Sequence, residues 1–158
     1  MSKLSELVKE LRAIELEHAD ELEATMEALP GRLASALVEG IMHDSRKHAA
    51  FCDAILEIEA EQVPDDLEIT GAVEMLRTIE GHIGTEEQMI KQFEVILPEA
   101  KDDRSREILN SLLADERRHH AVLTGLKKLF SGGLGREAYY DLIQDYMYGP
   151  PPKVRKRA

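Results

Sequence analysis

The sequence predicts an all-α protein, a four-helix bundle built from two related helical hairpins plus a short C-terminal helix. Residues with high helix propensity are abundant, whereas aromatic residues make up only 4% and tryptophan is absent. Apolar residues recur at three- and four-residue spacing, and strand-type alternation is not visible. The length of 158 residues suits one domain with a real core.

Helix-breaking residues divide the chain into four long amphipathic segments. Pro30 and Gly31 separate the first two segments, and residues 62–66 separate the second from the third. Residues 97–103 separate the third from the fourth, and residues 131–135 end the fourth. Each segment is about 27 residues long, which corresponds to a helix of about 40 Å.

We expect the chain to consist of two regions with a boundary near residue 130. Residues 1–130 are assigned to the bundle, and residues 131–158 to a C-terminal extension. In this extension we expect a short helix from Arg136 to Tyr148, which carries all four tyrosines, and a basic disordered tail at 153–158.

Charge and composition exclude several classes of protein. A formal net charge of −11, from 31 acidic and 20 basic residues, argues against nucleic acid as a partner. No apolar run is long enough to span a membrane, and the N-terminus lacks the core of a signal peptide, so we expect a cytoplasmic protein. The single cysteine, Cys52, excludes an intrachain disulfide and a four-thiolate iron or zinc site.

Polar residues interrupt each apolar stripe near its middle. Steps of 100° per residue place seven of them on the predicted core face, with two more on its flank. The seven are Glu15, His18, Asp44, His48, Glu86, Glu116 and His119, and the two on the flank are His82 and His120. Counted outward from the two hairpin turns, the interruptions lie at similar depths, which predicts that four carboxylates meet in one layer of the bundle interior.

The two halves of the sequence match at an offset of 71 residues. Glu15 corresponds to Glu86, and His48 corresponds to His119, and in both halves the histidine lies 33 positions after the glutamate. At the same offset, apolar residues of the first half also correspond to apolar residues of the second half. A duplicated helical hairpin explains this agreement.

Buried carboxylates require a compensating partner. An ionised carboxylate in an apolar interior costs several kcal/mol unless it is paired or bound to a cation. Four in one layer would repel each other and retain protons, and one or two divalent cations would remove that conflict. Carboxylate and imidazole ligands suit iron, manganese or zinc. The alternative is a buried ion-pair network with Arg46, Lys47 or Arg118.

Glu86, followed thirty residues later by Glu116-Arg-Arg-His119, resembles the half-site of ferritin-like di-iron carboxylate proteins, especially rubrerythrin-type ones without a rubredoxin domain. The resemblance covers about residues 1–130. In the first half, Ser45 stands where the family has a glutamate, and Asp44 is the candidate substitute. The metal ligands that the resemblance implies are Glu15, Asp44, His48, Glu86, Glu116 and His119, with His18 and His82 as further candidates.

The resemblance implies a non-haem di-iron or mixed-metal oxidoreductase that acts on peroxide or oxygen. It would hold two iron ions or one, with manganese or zinc as alternatives, use an external electron donor and form a homodimer or larger homo-oligomer. Three alternatives stay open: a non-catalytic metal-binding or iron-handling protein, a structural bundle with a degraded site, and a hemerythrin-like oxygen carrier. Ser45 supports the second, and only the spacing of His82 and Glu86 suggests the third.

Overall fold

The computed structural model describes residues 2–26, 28–29, 31–60, 72–133 and 137–149. These residues form five α-helices and no strand, which confirms the all-α prediction. The helices are α1 (Lys3–Met26), α2 (Arg32–Glu59), α3 (Ala72–Ile96), α4 (Asp103–Lys128) and α5 (Glu137–Tyr148). None of them is long and apolar enough to cross a membrane. The predicted linker at 61–70 and the predicted tail at 153–158 lie outside the described residues.

Local sequence explains where the helices begin and end. The Ser2 hydroxyl accepts the Ser5 N–H (3.1 Å) at the start of α1, and the Asp102 carboxylate accepts the Arg104 N–H (2.8 Å) at the start of α4. Gly31, just before α2, has a φ of 82°, a left-handed conformation that favours glycine. A short 3₁₀ turn at Leu97–Glu99 follows α3. Among the described residues, the predicted breaks at Gly31 and at residues 97–103 therefore fall between helices.

The chain divides into two compact units on either side of the bond between residues 64 and 65. In the first unit, α1 lies against α2, and we call this pair hairpin 1. In the second unit, α3 lies against α4, and we call this pair hairpin 2. Helix α5 contacts α4 within the second unit.

Small side chains line the contact between the two helices of hairpin 1. Ala19, Met42, Ser45, Ala49 and Cys52 are each at most 4% exposed, and all of them except Met42 are small. Most of the large apolar residues of the predicted stripes lie on a different, exposed face of the hairpin. The exposed face carries Leu4, Leu7, Leu11, Ile14, Leu33, Leu37, Ile41, Ile55 and Ile58. An apolar face of this extent marks a contact surface.

Helix α5 docks on α4 through a small apolar core. Leu129 and Leu142 are buried against each other, and Leu126 and Phe130 pack around them. Gly125 makes room for this contact, since a Cβ atom there would lie 2.2 Å from Leu142 Cδ2. The expected C-terminal helix is therefore present and packs on the preceding helix.

The 71-residue repeat is visible in side-chain contacts as well as in sequence. In hairpin 1, Arg46 Nη2 lies 2.6 Å from Glu23 Oε2 across the two helices. In hairpin 2, the corresponding Arg117 Nη2 lies 2.9 Å from Glu94 Oε1. Two ion pairs within single helices repeat at the same offset: Asp44–Lys47 and Asp115–Arg118.

The close approach of α4 and α5 can be tested at Gly125. We expect Gly125→Ala to destabilise the protein by about 1–3 kcal/mol, because the buried Leu142 must shift within a packed core. Gly81→Ala is the matched control, since a Cβ there would meet nothing within 4 Å. That control should be neutral or stabilising by up to about 1 kcal/mol. Urea unfolding measures both changes, and equal stability of the two variants would contradict the packing.

Candidate metal centre

Hairpin 2 brings together Glu86 from α3 with Glu116 and His119 from α4, a group that we call the Glu–Glu–His cluster. One ligand atom from each residue lies within 4.8 Å of the others, and within the described part of the chain this is the one such group of three. Glu116 and His119 are three residues apart, so the helical repeat places them one above the other on the same face. His119 Nδ1 lies 3.5 Å from Glu116 Oε2.

Both carboxylates of the cluster carry an oxygen that lacks a hydrogen bond. Glu86 is half-buried, and the Glu116 side chain is 16% exposed. With both carboxyl groups ionised, the Oε2 atom of each is buried without a hydrogen-bond partner. The 3.5 Å contact of Glu116 Oε2 with His119 Nδ1 is an ion-pair contact that lacks hydrogen-bond geometry. Leaving such acceptors unsatisfied costs free energy, which a bound cation would recover. The His119 side chain is 49% exposed, so the cluster is open to solvent.

The proximity of the two glutamates changes the titration of Glu86. Burial, the hydrogen bond with Glu116 and the negative charge of Glu116 together raise the pKa of Glu86 to about 7. Near neutral pH the carboxyl of Glu86 is therefore partly protonated and can donate a hydrogen bond to Glu116. A divalent cation would replace this proton, because it neutralises both carboxylates at once.

The donor set of the cluster fits a divalent transition metal. Two carboxylates and one imidazole are the ligand types that iron, manganese and zinc accept, whereas calcium prefers oxygen ligands throughout. Three protein ligands leave coordination positions for water or a small molecule, as in catalytic zinc sites. The cluster can therefore hold a metal ion and still leave that ion accessible.

Hairpin 1 carries two of the three corresponding residues. His48 Nδ1 lies 3.2 Å from Glu15 Oε1, and the His48 side chain is 52% exposed, close to the value for its counterpart His119. The third position is occupied by Ser45, which is 4% exposed. The Ser45 hydroxyl lies 3.2 Å from His18 Nδ1, within hydrogen-bond distance. Hairpin 1 therefore contains a glutamate–histidine pair and a serine–histidine pair.

Two of the candidate ligands lie apart from these groups. Asp44 is exposed, on the same face as Leu37 and Ile41, and its carboxylate contacts Lys47. His82 is exposed and does not belong to the Glu–Glu–His cluster. A metal-binding role for either residue stays a prediction.

Basic residues near the cluster have partners of their own. Arg118 contacts Asp115 on the same helix, and Arg117 contacts Glu94 on α3. In hairpin 1, Arg46 contacts Glu23. None of these ion pairs includes a carboxylate of the Glu–Glu–His cluster. Lys47, the third basic residue of the alternative ion-pair network, contacts Asp44 on the exposed surface of α2.

Sequence reasoning missed a second glutamate–histidine pair beside the cluster. His120 Nε2 lies 3.4 Å from Glu87 Oε1, one residue along both helices from Glu86 and His119. The separation of 33 residues is the same for both pairs and is the signal that could have revealed the contact. The corresponding positions in hairpin 1 are Leu16 and Ala49, so this pair is specific to hairpin 2.

Comparisons of the chain with protein-family models, with curated proteins and with solved structures each found no match. The ferritin-like resemblance therefore stays a prediction from the motif residues. The geometry of the Glu–Glu–His cluster is the observation on which a functional proposal can rest.

The pKa of Glu86 predicts how the stability of the metal-free protein depends on pH. The folded state retains the Glu86 proton up to about pH 7, whereas the unfolded chain releases it near the ordinary pKa of 4.5. The folded state thus binds more protons between these values, so this contribution to the free energy of unfolding decreases as the pH rises through that interval. Urea unfolding in the presence of a chelator, at a series of pH values, measures the effect.

Glu86→Gln should flatten this pH dependence, while Glu107→Gln, on the exposed surface of α4, should leave it unchanged. At pH 8 we expect Glu86→Gln to be more stable than the unsubstituted protein by about 1 kcal/mol, since solvent screens a half-buried carboxylate in part. Identical pH profiles for the two variants would contradict the raised pKa.

Proposed function

We propose that this chain is a ferritin-like metal-binding protein that holds a divalent transition-metal ion through Glu86, Glu116 and His119. The observation that carries the proposal is the Glu–Glu–His cluster, in which one ligand atom of each residue lies within 4.8 Å of the others and Oε2 of both glutamates is buried without a hydrogen-bond partner. Iron is the metal that the resemblance implies, and manganese and zinc fit the same ligands.

Each residue of the cluster has a distinct part in this proposal. Glu86 and Glu116 would hold the ion between α3 and α4 and release their shared proton on binding. His119 would supply the imidazole ligand on the solvent side, where its side chain is 49% exposed. The neighbouring ion pair of Arg117 with Glu94, at 2.9 Å, ties the same two helices together and supports the position of Glu116.

A four-helix bundle of the ferritin-like type is the tertiary fold that we propose with this function. Its support is the pair of helical hairpins, the 71-residue repeat and the position of Glu15 and Asp44 on helices that carry an apolar stripe. The exposed apolar face of hairpin 1 would be buried either in such a bundle or between copies of the chain, and assembly into a homodimer or larger homo-oligomer stays a prediction.

A second candidate function is oxidoreduction of peroxide or oxygen. The exposure of His119, together with the coordination positions that three protein ligands leave open, would let a small oxidant reach the metal. A bound iron ion would supply the redox chemistry. Electrons would come from an external donor, because the single cysteine, Cys52, is buried and cannot form a thiolate iron centre alone.

Metal titration of the purified protein tests the proposed binding function. We expect retained ferrous iron, manganese or zinc under anaerobic conditions, and an affinity reduced about tenfold or more in Glu116→Gln and in His119→Ala. Glu107→Gln and His43→Ala are matched controls on exposed helix surfaces and should bind as the unsubstituted protein does. Equal affinity in all four variants would refute the assignment of the ligands.

A peroxide challenge separates the two functions. Protein loaded anaerobically with ferrous iron is mixed with peroxide, and the remaining ferrous iron is measured with a chelating dye. An oxidoreductase would oxidise bound iron faster than free iron, and repeatedly once a reductant is added. Slower oxidation of the bound iron than of free iron would favour binding without turnover.

A further inference from the structure

Hairpin 1 repeats the Glu–Glu–His cluster with one of its three positions changed, and a neighbouring position differs as well. Glu15 and His48 occupy the positions of Glu86 and His119. Ser45 stands in the position of Glu116. At the remaining position of the same contact, hairpin 1 has His18 where hairpin 2 has the half-buried Met89. At these two positions, hairpin 2 therefore has a carboxylate and a methionine, whereas hairpin 1 has a hydroxyl and an imidazole.

In hairpin 1, His18 and Ser45 lie within hydrogen-bond distance of each other. The Ser45 hydroxyl is 4% exposed and lies 3.2 Å from His18 Nδ1, so its oxygen has a partner. In hairpin 2, by contrast, Oε2 of Glu116 is buried without one. A neutral hydroxyl that has a hydrogen-bond partner is not stabilised further by a cation, whereas a buried carboxylate without a partner is.

The two hairpins differ at these two positions, but the contacts around them are the same. Arg46 contacts Glu23 at 2.6 Å, just as Arg117 contacts Glu94 at 2.9 Å in the other hairpin. The exposed fractions of His48 and His119 also agree, at 52% and 49%. The two hairpins thus share the same helix register at this level and differ in the side chains that face each other.

We propose that the chain binds one metal ion, in hairpin 2, and that the His18–Ser45 pair stands in hairpin 1 where a second ion would otherwise be held. The inference rests on the proposed function of hairpin 2. His18 lies against Ser45, and within the described residues hairpin 1 has no three ligand atoms within 4.8 Å of one another. Glu15 and His48 therefore offer two ligands, fewer than the three that protein metal sites commonly supply. Residues 18 and 45 therefore determine the metal content of the chain.

The number of zinc ions bound per chain tests this inference, when the residues at these two positions of each hairpin are replaced by those of the other hairpin. The full chain is dialysed against zinc, and the ions retained per chain are counted by atomic emission and native mass spectrometry. We expect one ion in the unsubstituted protein. His18→Met with Ser45→Glu gives hairpin 1 the pattern of hairpin 2 and should raise the count to two. Met89→His with Glu116→Ser gives the reverse pattern and should lower the count to zero.

Two ions in the unsubstituted protein would overturn the inference, as would one ion in the folded His18→Met, Ser45→Glu variant. If circular dichroism shows that this variant is unfolded, Glu15→Gln with His48→Ala decides the matter. Retention of one ion in that variant supports the inference, and loss of the ion overturns it. No ion in the unsubstituted protein would instead refute the proposed function itself, and with it the inference.

Discussion

The close approach of two half-buried carboxylates, Glu86 and Glu116, is the constraint on which the candidate site depends. Burial and mutual repulsion raise the pKa of Glu86 to about 7, and two carboxylate oxygens lack hydrogen-bond partners. Helix packing nevertheless holds the groups together, with the Arg117–Glu94 ion pair bridging α3 and α4 one residue away from Glu116. A proton can relieve the conflict partly, and a divalent cation can relieve it more completely.

The sequence alone was sufficient to place the helices and the Glu–Glu–His cluster. Apolar spacing and the breakers at Pro30, Gly31 and Pro98 define helices whose observed bounds agree closely with expectation. Regular helix geometry explains why the three residues of the cluster could be grouped from the sequence. Residues equally distant from a hairpin turn lie at the same level, so Glu86 could be matched with Glu116 by counting, and His119 lies one turn further on the same face as Glu116.

The orientation of the helices about their own axes could not be predicted. An amphipathic stripe shows which residues avoid water but not which of them meet the neighbouring helix. In hairpin 1 that contact is made by small residues such as Ala19 and Ala49, while Leu37 and Ile41 are exposed. For the same reason, reasoning from the stripe favoured Asp44 as a core residue, whereas Ser45 is the residue buried between the helices.

X-ray absorption at the metal edge, on protein loaded with one zinc ion per chain, reports the atoms bound to the ion and so tests whether Glu86, Glu116 and His119 hold it. We expect carboxylate oxygens together with one imidazole, and the imidazole signal should disappear in His119→Ala but persist in His48→Ala. An ion surrounded by oxygen alone, or an imidazole signal that survives His119→Ala, would contradict it.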